Sequence, residues 1–349
     1  MFTTIKDRKI RIAVVGCGRI SKNHFGSIEQ HKENIELVAV CDTNSKVLEA
    51  VKESYGVSAY RSYDEMLLKE KLDLVSICTP SGIHPEQVVK AAKAGLNVIT
   101  EKPMATRWED GLQMVKACDK AGVRLFVVKQ NRRNSTLQLL KKAVNEKRFG
   151  RIHMVHLNVF WTRPQSYYDQ AAWRGTWELD GGAFMNQASH YVDLLDWLIG
   201  PVEKIQAMIT THRDIEVEDT GVLNVKWRNG ALGSMAVTMC TYPKNYEGSI
   251  TVLGEKGTVR IGGVAVNEIQ QWDFEDERNY DQSVREASYK TTSVYGFGHP
   301  LYYKNVVDVM RGKAKPETDG REGLKSLELL IGAYLSARDG RTITLPLEY

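Results

Sequence analysis

Ile12-Ala13-Val14-Val15-Gly16-Cys17-Gly18-Arg19-Ile20-Ser21 decides the fold. An apolar, strand-forming run enters a glycine pair and then the start of a helical pattern. Gly16 permits a tight turn, and Gly18 lets a pyrophosphate approach backbone amides at the positive end of the helix. The third fingerprint position, usually Gly or Ala, is Ser21, small enough for close helix packing. Asp42 ends the second apolar run about twenty residues on. A carboxylate there can accept hydrogen bonds from both adenosine ribose hydroxyls and repels a 2′-phosphate, which favours NAD over NADP. The turn residues Gly16, Gly18, Arg19 and Ile20, with Asp42, are the expected cofactor contacts.

Outward from this motif, strand patterns at 10–15, 35–41, 74–78, 97–100 and 124–128 alternate with helical ones near 20–30, 44–54, 63–70, 84–94 and 108–121. Short continuous apolar strands between amphipathic helices indicate a parallel sheet covered on both faces. Thr79-Pro80-Ser81-Gly82-Ile83-His84-Pro85 follows the third of these strands and is positioned to line the dinucleotide. His84 there either contacts cofactor or caps its helix. Glu101-Lys102-Pro103 follows the fourth, and a lysine at the end of a buried parallel strand can face the crevice where such sheets bind ligands. Pro103 fixes one backbone angle beside it.

The pattern changes after residue 130. A helix at 135–147 leads into alternating segments at 152–161, 202–211, 219–227, 231–240, 249–254 and 258–261, with turns at 228–230 and 254–257. Helices are expected at 184–199, 299–311 and 322–338, and residues 274–292 read as a polar surface excursion. The expected architecture is α/β. A doubly wound Rossmann domain spans 1–130, and an α+β substrate and oligomerisation domain with a large open, mainly antiparallel sheet spans 131–349.

At 349 residues the chain is long enough for two buried cores. A formal charge of +4 with interspersed signs is no nucleic-acid footprint, though a local basic excess could serve an anionic small substrate. No apolar run approaches the roughly 20 residues of a membrane span, and the start lacks an export signal, so the cytoplasm is the expected compartment. The five cysteines have no metal-type spacing and read as reduced thiols. His153 and His156 have no carboxylate partner in their strand, and no metal is expected.

The glycine turn, Cys78-Thr79-Pro80-Ser81-Gly82-Ile83-His84-Pro85, Glu101-Lys102-Pro103 and the Gly181-Gly182 to His190 segment together resemble the Gfo/Idh/MocA oxidoreductase family over essentially the full chain. The resemblance implies a lysine, an aspartate and a histidine around the sugar carbon that is oxidised. They fall on Lys102, Asn186 and His190, so the aspartate position departs from the pattern. Residues 128–134, 173–182 and 185–190 look like one subgroup, which oxidises C3 of UDP-N-acetylglucosaminuronic acid on the way to diacetamido-uronic acids of bacterial surface polysaccharides such as O-antigen. That subgroup tolerates asparagine at this position. The resemblance also implies a homo-oligomer, dimer or tetramer, and in some relatives recycling of the reduced cofactor by a 2-oxoacid such as 2-oxoglutarate. The rival readings are an inositol-dehydrogenase-like polyol enzyme and a non-catalytic nucleotide-sensing protein.

As chemistry, alcohol oxidation needs a hydride acceptor and a base. His190, with an ordinary pKa of about 6.5, suits the base, and Lys102 suits stabilisation of the developing alkoxide. On a regular helix Asn186 and His190 share a face. Asn186 cannot titrate but can hold a hydroxyl through one donor and one acceptor. Arg132, Arg133, Arg163 and Arg174 are candidate grips for carboxylate or phosphate. Glu101, Gln130, Trp173 and Arg174 are further expected cofactor contacts. Asn131, Arg163, Tyr295 and His299 are expected to touch substrate, with Lys129 near either ligand. The aromatic group Trp161, Tyr167, Tyr168, Trp173 and Trp177 could stack on uracil or fill a subunit interface.

Overall fold

The computed structural model describes residues 3–291, 294 and 296–347. The first strand, β1 (Ile10–Val15), is buried at five of its six positions. Such strands need cover on both faces, and the chain supplies it. In order follow α1 (Ser21–Gln30), β2 (Ile35–Cys41), α2 (Ser45–Tyr55), β3 (Ser58–Tyr60), α3 (Tyr63–Lys69), β4 (Leu74–Ile77), α4 (His84–Lys93), β5 (Asn97–Thr100), α5 (Trp108–Ala121) and β6 (Leu125–Val127). The sheet is parallel in the order β3-β2-β1-β4-β5-β6. Strand order therefore reverses between β1 and β4, the switch point at which doubly wound sheets bind ligands. Strand β3 has no counterpart among the expected strands, because its three residues are too few and too exposed to alternate visibly.

The second unit contains α6 (Ser135–Asn145), β7 (Ile152–Phe160), the single turn α7 (Gln165–Tyr168), α8 (Ser189–Leu194), β8 (Val202–Thr210), β9 (Thr220–Trp227), β10 (Leu232–Thr238), β11 (Glu247–Gly254), β12 (Gly257–Gly262) and β13 (Glu268–Phe274). The chain continues through α9 (His299–Met310) and α10 (Gly320–Asp339) to a short β14 (Ile343–Thr344). The eight-stranded sheet runs β13-β12-β11-β7-β10-β9-β8-β14. It is antiparallel except for the parallel pair β7 and β10. Its strands alternate, with Leu157, Leu223, Val225 and Val237 buried, while Met154, Val222, Leu232 and Met208 stay exposed. The strand β13, not among the expected segments, ends where the expected polar excursion begins, and a 3-10 segment (Asn279–Ala287) occupies part of that excursion.

A single break after residue 130 follows from the pattern; the structure divides the chain differently. One unit is residues 1–129 with 299–327, the other 130–298 with 328–349. The return has a packing cause: Tyr302, Tyr303, Val306, Val307, Val309 and Met310 of α9 belong to the same apolar cluster as Ile10, Ile12, Phe25 and Ile99.

The expected helix at 184–199 is also broken. Two π-helical turns, Ala183–Gln187 and Leu195–Ile199, bracket α8. The amide of Ala188 bonds the carbonyl of Ala183 at 2.8 Å, the wider loop of a π turn. Regular helical spacing between Asn186 and His190 therefore does not hold.

Candidate active site

In the first unit, Gly16 has φ +84°, and a Cβ there would meet the backbone of Cys78 and Thr79 at 2.8–2.9 Å. Only glycine fits between the ends of β1 and β4. At Gly18 a Cβ would meet nothing within 4 Å. Gly18 and Arg19 are exposed and Ile20 half-buried, while Ser21, 1% exposed, bonds the Gly18 carbonyl at 2.7 Å. This open turn at a helix start fits a dinucleotide pyrophosphate. Asp42 accepts the Cys17 amide at 2.7 Å and the Asn44 amide at 2.8 Å, so the carboxylate expected on ribose also pins the turn. Each oxygen keeps a second lone pair for a hydroxyl. Asp42→Ala is expected to relax the preference for NAD over NADP, measured as the ratio of kcat/KM for the two; an unchanged ratio places the ribose contact elsewhere.

Three expected cofactor residues have other tasks. His84 is 1% exposed, and its nitrogens lie 2.8 Å from the Thr79 carbonyl and 3.0 Å from the Pro103 carbonyl. It is a strut between the segments after β4 and β5, and burial lowers its pKa. Thr79 donates its hydroxyl to Gln87 at 2.7 Å, with Pro80 half-buried beside it. Glu101, 4% exposed, accepts from His24 Nε2 at 2.9 Å and from the Lys102 amide at 3.1 Å. His24 Nδ1 meets Tyr303 Oη at 2.8 Å and Ser76 Oγ at 2.9 Å. His299, expected on substrate, belongs to this unit; it is 2% exposed with Nε2 3.6 Å from Glu101. The three candidate ligand atoms of His24, Glu101 and His299 lie within 4.8 Å of one another, a spacing a metal ion could also use. Both nitrogens of His24 are occupied by hydrogen bonds, however, which reads as an ion pair.

Burial opposes charge on His24, yet Cys78, Tyr303 and Glu101 outweigh it and hold its pKa well above the ordinary value. The Glu101 carboxylate, hydrogen-bonded to Nε2 at 2.9 Å, is one of the groups that favour the charged ring. Burial likewise opposes charge on Glu101, and His24 and His299 outweigh it to keep the carboxyl well below its ordinary range. From Val98 to Ala105, Lys102 alone is not fully buried. The network beneath it fixes the backbone from which its ammonium projects. Lys129, 4% exposed, donates to Ser326. Burial pushes the Cys17 thiol up to about 12, as expected of inert thiols.

In the second unit, His190 is 5% exposed and its Nε2 lies 2.8 Å from Gln130 Nε2. An amide nitrogen donates, so the ring nitrogen facing it carries the lone pair and the proton of a neutral ring is on Nδ1. Gln130, expected on cofactor, thus orients the histidine. Asn131 is 2% exposed with both amide atoms unpartnered, as suits a residue awaiting a polar ligand. Arg132, a candidate grip, is paired with Asp193 at 2.7 and 2.8 Å in a buried bidentate bridge. Arg163 lies over the rings of Trp161 and Tyr167, and Arg174 over Tyr167 and Trp173. Part of the aromatic group therefore packs on guanidinium planes. His156 bonds Ser234 at 2.7 Å. Tyr295 lies outside the described residues.

Glu218 and Tyr334 carry no motif and escape a reading of the sequence. The Ala183 amide bonds the Glu218 carbonyl at 2.9 Å, the Phe184 amide its carboxylate at 2.9 Å, and the Met185 amide the Tyr334 hydroxyl at 3.2 Å. Three successive amides at the start of the segment bearing Asn186 are thereby satisfied. A Cβ at Gly182 would overlap the Glu218 carboxylate, which explains the glycine. Burial pushes the Glu218 carboxyl up to about 7. Because the folded state then holds the proton more tightly, this group's contribution to stability falls as pH rises from about 4.5 through 7, by about 3 kcal/mol. Glu218→Gln is expected to remove that dependence in denaturant midpoints at about pH 5 and about pH 8. Parallel slopes in both proteins would count against it.

Residues 10–129 match the oxidoreductase family described as NAD-binding Rossmann fold, and residues 141–345 its C-terminal alpha/beta domain. The WlbA dehydrogenase of Bordetella pertussis, solved with NADH and UDP-GlcNAcA, is 64% identical with a TM-score of 0.96, covering 99% of this chain and 100% of that one. That of Chromobacterium violaceum, in complex with the same pair, is 65% identical with a TM-score of 0.96, covering 100% and 99%. The D-apiose dehydrogenase of Paraburkholderia graminis is 27% identical over 98% of this chain and 92% of its own length.

Proposed function

Since this chain belongs to the Gfo/Idh/MocA oxidoreductase family, we propose that it uses NAD to oxidise the C3 hydroxyl of UDP-N-acetylglucosaminuronic acid to the 3-keto sugar. The observation that carries the substrate is identity of 64% and 65%, over nearly the whole chain, to two dehydrogenases solved with NADH and UDP-GlcNAcA. The Gly16 turn, open Gly18 and Asp42 support the cofactor.

NAD, when bound, supplies the hydride acceptor. The Lys102 ammonium donates to the C3 oxygen and stabilises the negative charge that grows there. His190 takes the hydroxyl proton on Nε2, the substrate displacing the Gln130 amide from that lone pair. Asn186 and Asn131 bind the sugar, with the Arg163 and Arg174 guanidiniums as cations for the uronate or diphosphate. Trp173, whose ring lies under the Arg174 guanidinium, is a further cofactor contact in this reading. The exposed sheet residues Met154, Met208, Val222 and Leu232 support a homo-oligomer, read as a tetramer. Among the described residues no helix is long and apolar enough to cross a membrane, and we place the enzyme in the cytoplasm. Its product would enter synthesis of a diacetamido-uronic acid for surface polysaccharide, with 2-oxoglutarate reoxidising NADH.

The test is a panel of UDP-sugars with NAD, followed at the NADH absorbance band, with and without 2-oxoglutarate. Turnover of UDP-N-acetylglucosaminuronic acid is expected. Oxidation of free inositol with none of the nucleotide sugar would overturn the reading, and NADH binding with no turnover of any sugar would favour a sensor.

A further inference from the structure

We infer that Asp180 is a positioning residue that turns the Asn186 side chain so that its amide oxygen, not its amino group, meets the sugar, an inference that rests on the function proposed above. Asp180 is 1% exposed. One carboxylate oxygen accepts the Gly175 amide at 2.8 Å, and the other accepts from Asn186 Nδ2. Both oxygens face N–H groups, so the carboxyl acts as acceptor on both sides. An amide beside an acceptor must present its nitrogen there, which points Oδ1 of Asn186 the other way. The chain between them is fixed by its own bonds: Gly181 to Thr176 at 2.9 Å, and Asn186 to Gly182 at 2.9 Å. From Asp180 to Leu195, Asn186 is the one residue not fully buried, so its outward atom is the one a ligand can reach.

The orientation has chemical consequences. A reacting alcohol oxygen that becomes a carbonyl needs hydrogen-bond donors as charge develops, and an amide oxygen offers none. Asn186 therefore holds a group that keeps its proton, a hydroxyl or acetamido N–H on a carbon beside the reacting one. It selects substrate, and Asp180 fixes which way it selects.

The test is a charge-exchange cycle of Asp180→Asn, Asn186→Asp and the double variant. Rates are read on the sugar that the panel selects, with thermal melting and NADH affinity alongside. Asn186→Asp sets two carboxylates in contact and is expected to lower kcat/KM by roughly tenfold or more, together with the melting temperature. The double variant again pairs one carboxylate with one amide and still presents an oxygen outward, so it should recover most of both losses. Asp180→Asn frees the amide to turn and should raise KM for the sugar more than it lowers kcat. NADH affinity should hold throughout. Additive melting shifts overturn the contact; coupled melts with uncoupled rates overturn the role at the sugar. Failure of UDP-N-acetylglucosaminuronic acid as substrate overturns the proposed function without moving the melting cycle.

Discussion

Lys102→Met is expected to lower kcat by roughly 10²–10³-fold while NADH affinity stays within about twofold. Methionine keeps much of the length and apolar stem and removes the charge and the donor. The backbone is held independently of that side chain, by the Lys102 amide on Glu101 and by His84 on the Pro103 carbonyl. The loss should therefore fall on the chemical step and leave the turn at Gly16 to Ser21 intact. Stopped-flow single turnovers and a fluorescence titration with NADH separate the two. His190→Ala is the companion measurement: a base contributes roughly 10²–10⁴-fold, and its loss should flatten the acid limb of the rate profile. Rates near the parent's in either variant would remove that residue from the mechanism.

The second large effect concerns stability. His24→Leu takes from the buried Glu101 carboxylate its 2.9 Å ion-pair partner, leaving it the Lys102 amide and the more distant His299, and strips a bond from Tyr303 and Ser76. Breaking such a pair from one side costs about 3–5 kcal/mol, whereas His24→Leu combined with Glu101→Met should cost less, because no charge is stranded. Denaturant unfolding of the four proteins checks this; equal losses in the single and double variants would mean the pair carries no coupling. The pH dependence follows from the two shifts. Glu101 lies well below its ordinary 4.5 and His24 well above its ordinary 6.5, so the pair's contribution is complete between those values. It declines as pH rises above 6.5 toward the folded-state value of His24, and as pH falls below 4.5 toward that of Glu101.

The Rossmann unit was legible because its strands are short, apolar and ended by residues whose chemistry needs a strand end: Gly16, Asp42, Thr79 and Lys102. The second sheet was legible from alternation, except at the two-residue β14 and at β13, whose exposed edge carries Gln270, Gln271 and Asp273 where a buried strand would show apolar residues. At the site, Lys102, Asn186 and His190 could be named because motif residues announce themselves by type and spacing. What they bond could not. Glu101 and His84 look like cofactor contacts in sequence, yet they brace backbone, since a buried polar group takes the nearest partner in three dimensions. Arg132 has the charge of a ligand grip in the sequence, and its ion pair with Asp193 is visible only in the fold. Glu218 and Tyr334 were invisible for the same reason: their partners are main-chain amides, which every residue has.

The NAD-binding unit is assembled from two lengths of chain, with roughly 170 residues of the other unit made between them. A ribosome adding about 5–20 residues per second takes on the order of ten to thirty seconds to cross that gap. Throughout it, the nascent first 129 residues lack α9, and Ile10, Ile12 and Phe25 lack part of their cover. His24 also waits for Tyr303, although Glu101 is already present. A fragment ended at residue 129 should therefore be aggregation-prone, although it contains every strand of its sheet. The two halves of this enzyme mature in an order their positions along the gene do not suggest: the unit begun first is finished only after most of the second has emerged.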